Sequence, residues 1–269
     1  SSWTSTGNLF IGETGKGTLT VAAGGAVSNA NGFVGGNNGG KGLVTITGPD
    51  SVWTNTSALY VGYLYGTNTG TLIIEDGGKV ESVDGHIGDG SSSEGTATVT
   101  GTGSTWTNTG DLYVGRAGKG TLTVEDGGDA EADELHVGQS SGSEGKLTVQ
   151  NGGTVSNRQG FIGYSTNSKG TVTVTGAGST WTNGNDGLFV GYFGEGTLAV
   201  ESGGKVVSNW NGYIGAEANS TGTVTVTGPG STWENGNNLV VGERGNGTLT
   251  VQDGGKVSTE NGYIGNDAG

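Results

Sequence analysis

The chain has no cysteine and no methionine, only 2 prolines in 269 residues, and 11 lysine and arginine residues against 25 aspartates and glutamates. Without cysteine there are no disulfide staples, no thiolate metal ligands and no thiol nucleophile. The same absence suits a chain that crosses a membrane unfolded, so it is compatible with export. A net charge of −14 opposes binding to nucleic acid or anionic lipid, because phosphate contacts need clustered basic side chains. No apolar run approaches the roughly 18 residues of a membrane span, so direct membrane insertion is not expected. No signal peptide or initiator methionine opens the sequence. Hydrophobic residues are 30% and charged residues 13%, which fits neither a large layered core nor a highly charged disordered tail.

What is abundant is glycine, 61 residues. Without a period, that content reads as low complexity, and collagen is excluded because glycine does not recur at every third position. A longer period is present. A strand-like pentapeptide, most often GTLTV, begins at Gly17, Gly42, Gly70, Gly95, Gly120, Gly145, Gly170, Gly196, Gly222 and Gly247. A second mark, Ile or Val followed by Gly, occurs from Gly12 to Gly265. The chain is an array of units of about 25 residues. One type carries Trp, as in Gly103-Ser104-Thr105-Trp106-Thr107-Asn108, and the other carries Gly-Gly, as in Asp76-Gly77-Gly78-Lys79-Val80. The types alternate except where the Gly127-Gly128 unit is followed directly by the Gly152-Gly153 unit.

Each unit has three short stretches of period-2 alternation separated by Gly, Asn, Asp or Ser, and none shows a 3.6-residue period. Three strands and three bends in about 25 residues make one coil of a parallel β-helix. The expectation is an all-β, single-stranded, right-handed solenoid of about eleven coils, forming one repeat domain over residues 1–269. Alternation in GTLTV turns Leu19 and Val21 inward and Thr18 and Thr20 outward, so about five to seven apolar side chains per coil build a continuous core.

The repeated succession of GTLTV, DGGKV, GSTWTN and LYVG resembles the repeat of bacterial autotransporter passenger domains, the β-helix repeat associated with type V secretion. The resemblance covers essentially the whole chain. It implies a rod displayed outside the bacterium, and this sequence would then be a piece of a longer passenger.

Candidate residues follow from the pattern. All 13 Phe and Tyr lie within three residues of an Ile/Val-Gly mark, hence along one corner of the rod. The position before the Ile or Val reads Phe10, Phe33, Tyr60, His86, Tyr113, His136, Phe161, Phe189, Tyr213, Val240 and Tyr263. Alternation points these side chains outward, as a stacking ladder or as a platform for sugar rings or a partner protein. His86 and His136 stand too far apart to pair, and neither reads as catalytic. Trp53, Trp106, Trp181 and Trp233 are expected inside, with Asn55, Asn108, Asn183 and Asn235, and Asn29, Asn157 and Asn209, stacked at a bend. Trp210 falls outside the Trp set and is expected at the surface. One linker, from Tyr63 to Thr69, is longer than the rest, which makes Tyr63, Leu64 and Tyr65 candidates for a protruding contact. The acidic run Glu125, Asp126, Asp129, Glu131, Asp133 and Glu134 reads as a solvated face.

These features predict no catalytic residues, no cofactor and no metal site. The functional expectation is an extracellular adhesin or self-associating passenger. Its partner would be a protein or glycan on a host or bacterial surface, or another copy of itself. A passive stalk or filament segment is the alternative. A polysaccharide-acting enzyme lacks the irregular cleft such β-helices use, and ice binding is opposed by Leu43, Ile73, Lys146 and Ala199 breaking the Thr ranks.

Overall fold

In the computed structural model, residues 1–64 and 66–265 are described. They form a right-handed parallel β-helix without α-helix. Every strand pairing is parallel and links one coil to the next. The pentapeptides lie in seven-residue strands, from Lys16–Ala22 to Asn246–Gln252, stacked as a ten-stranded sheet. Its register is unbroken, glycine on glycine and threonine on threonine, as in Gly95↔Gly120 and Thr96↔Thr121. The other two strands of each coil are short, as in Lys79–Ser82 and Asp84–Ile87. In three consecutive coils they fuse into one strand each, Asp129–Val137, Thr154–Ile162 and Thr180–Val190. Eleven levels at about 4.8 Å give a rod about 50 Å long.

Two bends show why the glycines are where they are. The mark glycine adopts a left-handed conformation, φ 68° at Gly88, and a Cβ there would run into the Lys119 carbonyl oxygen of the next coil. In the Gly-Gly units, Asp76 and Gly77 both have positive φ, 52° and 84°, and Gly78 N–H donates to the Glu75 carbonyl at 2.9 Å. That is a type I′ turn. The Gly77 N–H is then free to donate to Ser104 Oγ of the following Trp coil at 3.0 Å, and Gly24–Ser51, Gly152–Ser179 and Gly203–Ser231 repeat the bond. The buried serine before each Trp therefore fastens two coils together.

One continuous core runs from Leu9 to Val241. Leu72 and Ile74, facing inward from a pentapeptide, are fully buried while Thr71 and Ile73 face outward. Burial per coil varies: four aliphatic side chains, Leu72, Ile74, Val80 and Ile87, fill one Gly-Gly coil, below the expected five to seven, whereas the next coil, with Ala97, Val99, Trp106, Leu112 and Val114, reaches five. The reason is a complementarity of large and small. Trp coils place Trp106 and Leu112 inside; the coil before stacks Val80 and Gly85 against them. A Cβ at Gly85 would collide with the Trp106 ring and Leu112. Where alternation fails, Ala130 lies between Trp106 and Val155, and Leu135 between Leu112 and Gly160. That coil is intermediate in volume and separates the two alternating series.

Trp53, Trp106, Trp181 and Trp233 are completely buried. Trp53 and Trp181 donate Nε1–H to Asn29 and Asn157 at 2.6 and 2.7 Å, and Trp106 donates to Ser82 Oγ at 3.2 Å. The asparagine column differs from expectation in one member. Asn209 is exposed, and Ser208 stands in register with Asn183 and Asn235. The column is also not continuous, since Ser82, Ala132 and Ser208 interrupt it. It consists of pairs such as Asn29–Asn55 and Asn157–Asn183, each bonded at 2.8 Å.

Candidate functional site

The ladder exists as a run of stacked rings on the outer corner. From Phe10 through Phe33, Tyr60, His86, Tyr113, His136, Phe161 and Phe189 to Tyr213, successive centroids lie 4.6–5.2 Å apart with planes within 23° of parallel. Parallel strands in exact register impose that spacing. Val240 ends the run, so Tyr263, in register beyond it, stacks on no ring from the ladder. Tyr263 is 42% exposed and Phe10 45%.

The ladder is not an open platform along its length. Phe33, His86, His136 and Phe161 are buried, although their side chains point away from the coil interior. A second tier of rings covers Phe33, His136 and Phe161, while His86 lies beside Asp89. Tyr63 lies 4.5 Å from Phe33 and 4.7 Å from Tyr60. Tyr164 lies against His136 and Phe161, and Tyr192 against Phe161 and Phe189. This overturns the expectation that Tyr63 protrudes, because its ring folds back on the ladder. Leu64 is half-buried at φ 61°, a left-handed conformation uncommon for leucine. Tyr65 lies outside the described residues. Tyr60, Tyr113, Phe189 and Tyr213 are half-buried. Trp210 is 48% exposed, as its position outside the Trp set implied.

Sequence reading missed the second tier and its most exposed member. Phe193 is 40% exposed and sits 4.6 Å from Tyr192. Shallow hollows open on both sides of it, one lined by Ser140, Ser141, Ser165 and Thr166, the other by Asn167, Lys169, Asn219 and Thr221. The available signal was the second residue after the mark glycine, which is aromatic only at Phe193.

Beside the ladder, two residues earlier, runs a column that is polar in every coil except at Ala58 and Gly187. Asn31 Nδ2 donates to Asn8 at 3.0 Å, and Asn261 to Asn238 at 3.1 Å. At the centre of the rod this column becomes Asp84, Asp111 and Glu134. Tyr113 O–H donates to Asp111 at 2.8 Å, and His136 Nε2 stands 3.2 Å from Glu134. Burial, reinforced by the Asp111 bond, pushes the Tyr113 hydroxyl well above its ordinary range. Burial lowers His86 to about 4, against the opposing pull of Asp89, whose carboxylate lies 3.5 Å away and is paired with Arg116 at 2.8 Å. Burial also lowers His136, opposed by Glu134.

The acidic run is largely engaged. Arg158 pairs with Asp133, Glu134 and Asp186, Gln150 donates to Glu125 at 2.5 Å, and Thr154 donates to Asp129.

No protein-family profile and no curated protein matches the chain. One solved structure is similar at 19% identity, covering 98% of this chain and all of the other, with a TM-score of 0.27: the crystal structure of a TibC-catalyzed hyper-glycosylated TibA fragment. A likeness at that score carries no argument about this chain.

Proposed function

We propose that this chain is a passenger segment of an autotransporter-like protein, displayed outside the bacterial cell, that acts in adhesion or self-association. The supporting observation is the outer corner around Phe193. An exposed ring there rests on Tyr192 and is flanked by hollows rich in hydroxyl and amide groups. An apolar ring face beside convergent hydrogen-bonding groups suits a sugar ring, or a polar protein surface, better than a reacting centre. Extension of the rod supplies reach, and presentation of many copies supplies avidity. The fold alone assigns no function, and the passenger assignment rests on the repeat resemblance.

A passive stalk is the second reading, favoured by the near-constant geometry of the coils. Displaying the chain on a non-aggregating bacterial host separates the two. The adhesin reading predicts clumping or glycan-array binding that is lost in the Phe193→Ser, Trp210→Ser double variant. Absence of both activities from the unaltered rod contradicts it.

A further inference from the structure

We propose that Asp111, Glu134 and His136 form a site for one divalent transition-metal cation of the Zn²⁺ type on the outer corner of the rod. Register assembles it. Leu112 pairs with Leu135 and Tyr113 with His136, so Asp111, just before its strand, stands one rung from Glu134. Glu134 and His136 are two apart in one strand and share a face. One ligand atom from each of the three lies within 4.8 Å of the other two. The 3.2 Å between His136 Nε2 and Glu134 already matches the roughly 3.3 Å separating two ligands on a tetrahedral zinc with bonds of about 2.0–2.1 Å.

The substitution pattern along the two columns points the same way. The column two residues before the ladder carries asparagine at Asn8, Asn31, Asn211, Asn238 and Asn261, with Phe, Tyr or Val at the ladder position beside it, and Ala58, Gln159 and Gly187 elsewhere. It carries carboxylates at Asp84, Asp111 and Glu134, and the chain's only two histidines enter the ladder in those same coils. Stacking alone does not require the exchange, since Phe161 fills the next rung. Carboxylates one rung apart repel. Tyr113 engages one oxygen of Asp111 and Arg158 one of Glu134, which leaves acceptor capacity on each. His136 is buried at 4% exposure, and its Nε2 is the ring nitrogen turned to the carboxylates, 3.2 Å from Glu134; its Nδ1, like that of His86, has no hydrogen-bond partner among the described residues.

The donor set selects the cation. One imidazole and two carboxylates suit zinc and its neighbours, whereas calcium and magnesium take oxygen ligands in larger number. Both carboxylates are partly exposed, so a fourth position opens to solvent or to a ligand atom from another molecule. His86 supplies an internal control, because the Asp89 oxygen nearest it is the one that Arg116 holds, and among the described residues it belongs to no cluster of three such ligands.

Zn²⁺ titration of the full chain by calorimetry, with the two imidazoles followed by NMR, tests the proposal. The expected result is one Zn²⁺ per chain with the His136 resonances displaced and those of His86 unmoved. Asp111→Asn and Glu134→Gln should each weaken binding by about tenfold or more, and His136→Phe should abolish it. Asn and Phe occupy the corresponding positions in other coils, so metal-free stability should be kept; if His136→Phe does not fold, the NMR response of Glu134→Gln carries the test. No displacement of His136 at millimolar Zn²⁺, or binding indifferent to all three substitutions, overturns the site.

Discussion

Two aromatic arrays run the length of this rod and do different things. The inner one carries Trp53, Trp106, Trp181 and Trp233, all fully buried, in alternate coils except across the break between Trp106 and Trp181, and gives three of them a hydrogen-bond partner one coil away. The outer one places a ring in nearly every coil, lets them touch face to face, and covers the middle with further tyrosines. The inner array is narrow in its neighbours: each of its four tryptophans stacks only on Val or Ala, and a Cβ on Gly85 would collide with Trp106 and Leu112. The outer array tolerates Phe, Tyr, His and Val in the same position. Chemical freedom therefore lies on the outer corner, and the interior sets stability.

The inner array offers the largest effect. Trp106→Ala removes a ring packed against Val80, Ala130 and Gly85, and should cost about 3–5 kcal/mol in chemical unfolding. A loss below 1 kcal/mol would mean that the coils collapse around the cavity and that the complementarity of Trp with glycine is not what fixes them.

A pH effect of intermediate size belongs to the outer array. His86 is held neutral, at about 4 by burial against an ordinary 6.5. Between those values the unfolded chain binds a proton that the folded chain does not. The contribution of a neutral buried His86 is therefore complete above pH 6.5 and lost as pH falls to about 4, a decline of about 3 kcal/mol. Urea midpoints at pH 7.5 and 4.5 should converge in His86→Phe relative to the parent. An unchanged pH dependence in that variant would place the acid sensitivity in the carboxylates instead.

The smallest effect tests the stack itself. Tyr213 is half-buried, rests on Phe189 at 4.8 Å and meets only Val240 on its other side. Tyr213→Ala should cost about 0.2–1 kcal/mol by thermal unfolding. A cost equal to that of Trp106→Ala would erase the distinction between the arrays.

Most of the fold was legible because its causes are local and repeated. Period-2 alternation decides which of Thr18, Leu19, Thr20 and Val21 turns inward, and the Ile/Val-Gly mark in every unit positions the bends. The outward direction of the ladder was legible for the same reason. Its burial was not, because Tyr63, Tyr164 and Tyr192 follow the bend, where the alternation rule no longer applies and only the turn geometry decides that they fold back. The misplaced Asn209 has a similar origin: Asn-rich bends offer two adjacent polar residues, and strand register, not composition, selects Ser208. The cluster of Asp111, Glu134 and His136 was hidden by sequence distance, since 23 positions separate Asp111 from Glu134. The Gly N–H to Ser Oγ bonds between coils were unreadable for that reason too, although a serine stands two residues before Trp53, Trp106, Trp181 and Trp233 alike.

The central claim, that the interior supplies stability and the outer corner supplies contacts, is tested most directly by measuring thermal unfolding and surface clumping on the same two variants, Trp106→Ala and Phe193→Ser with Trp210→Ser. The account predicts that the first lowers the melting temperature while the rod still clumps cells below it, and that the second abolishes clumping at an unchanged melting temperature. Clumping that survives the outer substitutions and disappears with the inner one, at a temperature where both variants are folded, would contradict it.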